Sequence, residues 1–176
     1  KGDLTGAKTA IGAADAAGKE LNVDQEFLVI LSLKQAQVIE AEKDYPSAIG
    51  KYQAVAGQAG VKFPSIKGLA MLGVARCQMH TNPTTAQWTY EGITREFKGQ
   101  RSVLGPGWAG LGDCLFQQGQ KNGDLDMIRK AALAFEQSAV LWFPGEGTPT
   151  ASHEAALVGG GECFLIPAQK TEGNDK

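Results

Sequence analysis

Trp108, Leu111-Gly112 and Leu115 set the tightest constraint on this chain. A large residue, two spacers, Leu-Gly, two more spacers and another large residue put three apolar side chains on one helix face, because positions three and four apart meet there. Gly112 lies on that face without a side chain, so a second helix can come close. That helix follows as Ala131-x3-Phe135, with Pro144 as its stop. The spacing predicts a tightly packed helix pair, with Trp108 between its helices near Phe135. One pair cannot bury its own apolar face, so similar pairs are expected elsewhere in the chain.

They are found in both directions. Leu69, Leu72-Gly73 and Arg76 repeat the first-helix spacing, with Arg76 in a slot that calls for an aromatic and its stem laid over the neighbouring helix. Ala48-x3-Tyr52-x2-Val55 and Ala86-x3-Tyr90-x2-Ile93 repeat the second-helix spacing. The periodic stretch 27–39 places Ala36 in the glycine slot. Leu157, Gly160-Gly161 and Phe164 form a fourth first helix, predicted to stop at Pro167. Ala7-x3-Ile11-x2-Ala14 has the spacing of a second helix whose first half is missing. The small residues Ala36, Gly73, Gly112 and Gly161 stand 37, 39 and 49 positions apart. The excess over a repeat of about 34 residues is assigned to loops at 119–124 and 145–149. Prolines punctuate the periods. Asn82-Pro83, Gly105-Pro106 and Thr148-Pro149 put proline early in a helix with Asn82 and Thr148 as N-caps; Pro46 and Pro64 also mark starts, and Pro144 and Pro167 mark stops. No stretch alternates as a strand does. The chain is expected to be all-α.

This W-x2-L-G-x2-large … A-x3-F pattern resembles the tetratricopeptide repeat (TPR) family over roughly residues 24–166. The repeats run approximately 24–60, 64–99 and 105–143, with a half repeat at 149–166, in a single domain 1–176. The resemblance implies a right-handed α-solenoid of antiparallel helix pairs, with a concave face built from first helices that binds a peptide or partner protein. Carried over position by position, that face comprises Lys34, Gln37, Lys67, Met71, Val74, Gln78, Asp113, Phe116, Gln117 and Glu162. Some members grip a peptide carboxylate with lysines and asparagines. Lys34 and Lys67 lack the asparagine counterparts, so that clamp is not expected, and the face is a mixture of apolar and amide side chains.

Composition narrows the function further. The 176 residues are 43% hydrophobic and 20% charged, as in a globular protein with one ordinary core. A formal charge of -2 without a basic cluster argues against nucleic acid or an anionic membrane as partner. The longest apolar run, 27–33, is too short to span a bilayer. Cys77, Cys114 and Cys163 show no zinc spacing and are expected to be buried small hydrophobes. Gly105-Pro-Gly107-Trp-Ala-Gly110 matches a dinucleotide fingerprint but lacks the preceding strand and the following acidic residue. Asp124-x-Asp126 fits a helix N-cap better than a calcium loop. His80 and His153 fall at helix ends without triad or metal partners, and Glu40, Glu42, Lys43 and Asp44 describe a solvated corner. No catalytic, cofactor-binding or metal-binding set is expected. The reading is a non-enzymatic interaction scaffold. The alternative is a structural module that forms homo-oligomers through apolar surface on its unpaired terminal helices. Free cysteines lean to the cytoplasm, while a chain starting at Lys1 fits an exported mature protein or a cut from a longer one.

Overall fold

The computed structural model describes residues 3–21, 23–141 and 151–172. Among them lie eight helices and no strand: α1 Leu4–Glu20, α2 Gln25–Ala41, α3 Tyr45–Ala59, α4 Pro64–Thr81, α5 Pro83–Glu96, α6 Arg101–Asn122, α7 Leu125–Leu141 and α8 Ala151–Glu172. Short acids and amides start most of them. Asp3, Asp24, Asp44, Asn82 and Asp124 each accept from a backbone N–H of the following first turn, satisfying a donor that has no partner within the helix. Pro64 and Pro83 open α4 and α5, and Pro46 is the second residue of α3, where a missing N–H costs nothing.

Three boundaries differ from the sequence reading. α6 begins at Arg101, so Pro106 is inside it rather than at its start. It also runs to Asn122, leaving only Gly123 and Asp124 before α7. Residues 119–122 thus extend a helix, and the turn is closed by Gly123 at φ 68, a left-handed conformation that suits glycine. α8 continues past Pro167 to Glu172. Pro144, the 145–149 loop and the Thr148 cap lie outside the described residues.

By its contacts the chain comprises two compact units, residues 1–86 and 87–176. In the first, α3 packs against α2 and α4, which also touch each other, and α1 packs on α2. Its core joins Val29, Leu33 and Ala36 to Ala48, Tyr52 and Val55, and to Ala70, Val74 and Cys77. In the second, α7 packs against α6 and α8, which again touch each other.

A recurrent ring-on-glycine contact underlies this order. Ala48, Ala86 and Ala131 are fully buried, and so are the aromatics four positions on, Tyr52, Tyr90 and Phe135. Each ring lies where the next first-type helix has a glycine: a Cβ built on Gly73 would overlap the Tyr52 ring, and one on Gly110 the Tyr90 ring. Phe135 is held from two sides. A Cβ on Gly112 of α6 would come 2.7 Å from its Cδ1, and a Cβ on Gly159 of α8 2.5 Å from its Cζ. Only glycine leaves room for the ring at either position. Trp108 is half-buried rather than enclosed.

The register of α8 also needs correcting. Its buried residues are Ala156, Gly159 and Cys163, not Leu157, Gly161 and Phe164. Leu157 is 58% and Phe164 73% exposed, and nothing approaches a Cβ built on Gly161. One residue is about 100° of helix, so the apolar stripe read from the sequence faces outward. Leu69, taken for the large residue of the second repeat, is likewise exposed.

Candidate functional site

The residues expected to meet a partner fall on first-type helices in both units. In the first unit, Lys34 and Gln37 are exposed on α2. Lys67, Met71, Val74 and Gln78 recur at four, three and four residues along α4 and so share one stripe. Lys67, Met71 and Gln78 are half-buried, and Met71 packs against the core. Val74 is 2% exposed and belongs to that core, with no surface to offer. In the second unit, Gln117 and Glu162 are exposed, Asp113 is half-buried and Phe116 is buried.

Asp113 and Glu162 come together across α6 and α8. Burial, and then the Glu162 charge, push the Asp113 carboxyl above its ordinary range. A half-buried acid facing a like charge holds its proton more tightly, and this spot is the most acidic part of the proposed face. A separate polar link runs through Gln87, whose Nε2 donates to Glu91 Oε1 at 2.9 Å and whose Oε1 accepts from Gln118 Nε2 at 3.2 Å.

A polar cluster in the first unit escaped the sequence reading. Arg76 donates through Nε and Nη2 to the two carboxylate oxygens of Glu40, both at 2.8 Å, and the Tyr52 hydroxyl donates to the same carboxylate. Glu40 is therefore not part of a solvated corner. It is the acceptor that ties α2, α3 and α4 together, a planar fork on a carboxylate. Burial alone would raise the Glu40 carboxyl, but the hydrogen bonds from Arg76 and Tyr52 outweigh it and hold it below its ordinary value. Burial and the Glu40 bond push the Tyr52 phenol well up. His80 stacks on Tyr45, ring centroids 4.3 Å apart, beside this cluster. The available signal was positional: Glu40 stands four residues after Ala36 and Arg76 three after Gly73, one turn beyond the small residue in each case.

The remaining motifs resolve into packing. The Gly105–Gly110 run lies within α6, where Gly107 takes the Ile93 side chain and Gly110 the Tyr90 ring. Asp124 Oδ1 accepts from the N–H groups of Asp126 and Met127 at 2.9 and 3.0 Å, as an N-cap does. None of the three cysteines is in a disulfide and all are buried, and burial first of all pushes their thiols up, Cys77 and Cys163 to about 11 and Cys114 to about 12. Such thiols are poor nucleophiles near neutral pH. Among the described residues no three His, Cys, Asp or Glu side chains gather as a metal site would need, and no helix is long and apolar enough to cross a membrane.

The outward stripe of α8 forms an apolar groove with α7. Leu133 and Ala139 line one side, Leu157 and Phe164 the other, and Gly160 and Gly161 leave space between; the cavity is about 600 Å³. Arg129 and Glu136 are the charged residues along it. Comparison with protein-family models, curated proteins and solved structures finds no match to this chain.

Proposed function

We propose that this chain is a non-enzymatic, TPR-like scaffold that binds a peptide or partner protein on its first-type helices. The observation that supports this reading most is the pairing of those helices, α2 beside α4 in one unit and α6 beside α8 in the other. Each pair is backed by a buried ring on a glycine, so its outer side chains are held in place before a ligand arrives, which lowers the entropy cost of binding. α2 and α4 carry Lys34, Gln37, Lys67 and Gln78, and α6 and α8 carry Asp113, Gln117 and Glu162. Amide side chains can hydrogen-bond an extended backbone, and charges of fixed sign select the orientation of the ligand. On the TPR reading these faces line the concave side of a right-handed superhelix.

A displayed library of random peptides selected on the intact chain tests the reading. Selected peptides should lose affinity for Lys34→Glu, Met71→Ala or Glu162→Lys, and the two charge changes should also alter the salt dependence. Peptides indifferent to all three substitutions would move binding off the first-type helices and sink the reading.

A further inference from the structure

We propose that the groove between α7 and α8 receives α1 of a second copy of the chain, so that copies associate end to end. This goes beyond the peptide-binding reading and uses other surfaces, so either can fail alone. The inference starts from helix order. First-type helices α4 and α6 are each followed by a second-type helix, α5 and α7, with the Ala-x3-aromatic stripe. Phe135 of α7 sits on Gly159 of α8 just as Tyr52 of α3 sits on Gly73 of α4. α8 thus takes the place of a further first-type helix, and the groove beside α7 is where its second-type neighbour would lie.

The groove is built for a helix. Leu133 on α7 and Leu157 and Phe164 on α8 line it, and all three are more than half exposed. Leu157 and Phe164 stand seven residues apart and span two turns, about 10 Å, while a helix the length of α1 is about 25 Å. Leu133, Leu157 and Phe164 together expose on the order of 400 Å², within the ~300–600 Å² of the largest and often functional patch on a monomer and about half the ~800 Å² per partner of a standard interface, so the association is expected to be weak.

α1 matches this berth in two respects. Its Ala7-x3-Ile11-x2-Ala14 stripe has second-type spacing, half-buried where α1 packs on α2. Its outer face is exposed and almost free of bulk: Thr9, Ala10, Gly12, Ala13, Ala16 and Ala17. Large side chains on the groove walls need small ones opposite if the helices are to close without voids. A second copy's α1 could therefore lie on Leu133, Leu157 and Phe164 while keeping its own α2. The two surfaces differ, so the contact is heterologous, and a pair of copies retains one unused α1 face and one unused groove.

Sedimentation velocity on the full chain from about 1 µM to about 1 mM tests this, with concentrations chosen to bracket weak and strong association. The mass should rise with concentration beyond that of a dimer. Phe164→Asp blocks the groove and Ala13→Glu blocks α1; both residues are exposed, so both variants should fold, as a circular dichroism spectrum will show. Each alone should associate at least tenfold more weakly. Mixed in equal amounts, they should form a one-to-one dimer through their single intact pair of ends, and stop there. A mass that stays monomeric throughout, unimpaired assembly of either variant, or a mixture that forms no dimer would each overturn the proposal. A groove that binds library peptides but not a second copy would also overturn it.

Discussion

Replacing Gly112 with alanine should destabilise the second unit, although alanine is the better helix former. A gain of about 1 kcal/mol is expected from propensity alone. Against it stands Phe135. The new Cβ would lie 2.7 Å from Cδ1 and Cε1 of the ring, about 1 Å inside the ~3.5–4.0 Å at which carbon atoms rest. The ring is 1% exposed, and Gly159 closes its other side. Its escape requires α6 or α8 to shift, so the upper part of the ~1–3 kcal/mol range for overpacking applies. The net expectation is a loss of about 1–2 kcal/mol after the propensity gain is subtracted. Gly161→Ala is the control, because nothing lies within 4 Å of its Cβ; it should stabilise by up to about 1 kcal/mol. Trp88, Trp108 and Trp142 are the chain's three tryptophans, and all fall in the second unit. Urea titration followed by tryptophan fluorescence therefore reports on that unit, with the free-energy change read from the midpoint at constant slope. Phe135→Leu should remove much of the penalty of the alanine, as coupled neighbours do. If Gly112→Ala matches Gly161→Ala in stability, the ring-on-glycine contact is not tight and the argument fails.

Three further outcomes follow from the half-buried carboxyls and the buried thiols. Asp113→Asn should stabilise the second unit at pH 7: a carboxyl raised above its ordinary 3.8 carries a penalty that is full above its folded value and gone below 3.8. An equal benefit at pH 3 and pH 7, by the same fluorescence titration, would contradict this. Glu40 has the opposite sign, its carboxyl lowered from 4.5, so it stabilises above 4.5 and loses that contribution as pH falls through the folded value. Amide protection factors in α2–α4 should fall on acidification less steeply in Glu40→Gln than in the parent; identical profiles would mean the Arg76 pair contributes nothing. A thiol-specific disulfide reagent at pH 8 should leave Cys77, Cys114 and Cys163 unreacted in the folded chain and label all three in denaturant. Rapid labelling of any of them without denaturant would show that it is not enclosed.

The sequence carried the helix pairs because their signature is local. Ala48, Ala86 and Ala131, with an aromatic four positions on, need only a helix and a close neighbour, and all six are buried. The errors arose where one pattern has two physical causes. In α8, Leu157 and Phe164 have core periodicity and core bulk, yet the inner face there is Ala156, Gly159 and Cys163. Periodicity shows which residues share a face but not what that face meets. Three consecutive glycines allow three registers, and only the Phe135 ring selects Gly159. Gly105-Pro106-Gly107 misled in the same way, since a local breaker pattern is overridden when Ile93 and Tyr90 press against the glycines of a continuous helix. The Glu40–Arg76 pair joins residues 36 positions apart, and no local rule links them. Of the residues expected on the binding face, Lys34, Gln37 and Gln117 lie at the surface, as long polar side chains do, whereas the apolar Val74 and Phe116 are buried. The core-facing stripe of a surface helix is about 100° wide or more. Its edge residues are core or surface according to the neighbouring helix, and that neighbour is set by tertiary packing.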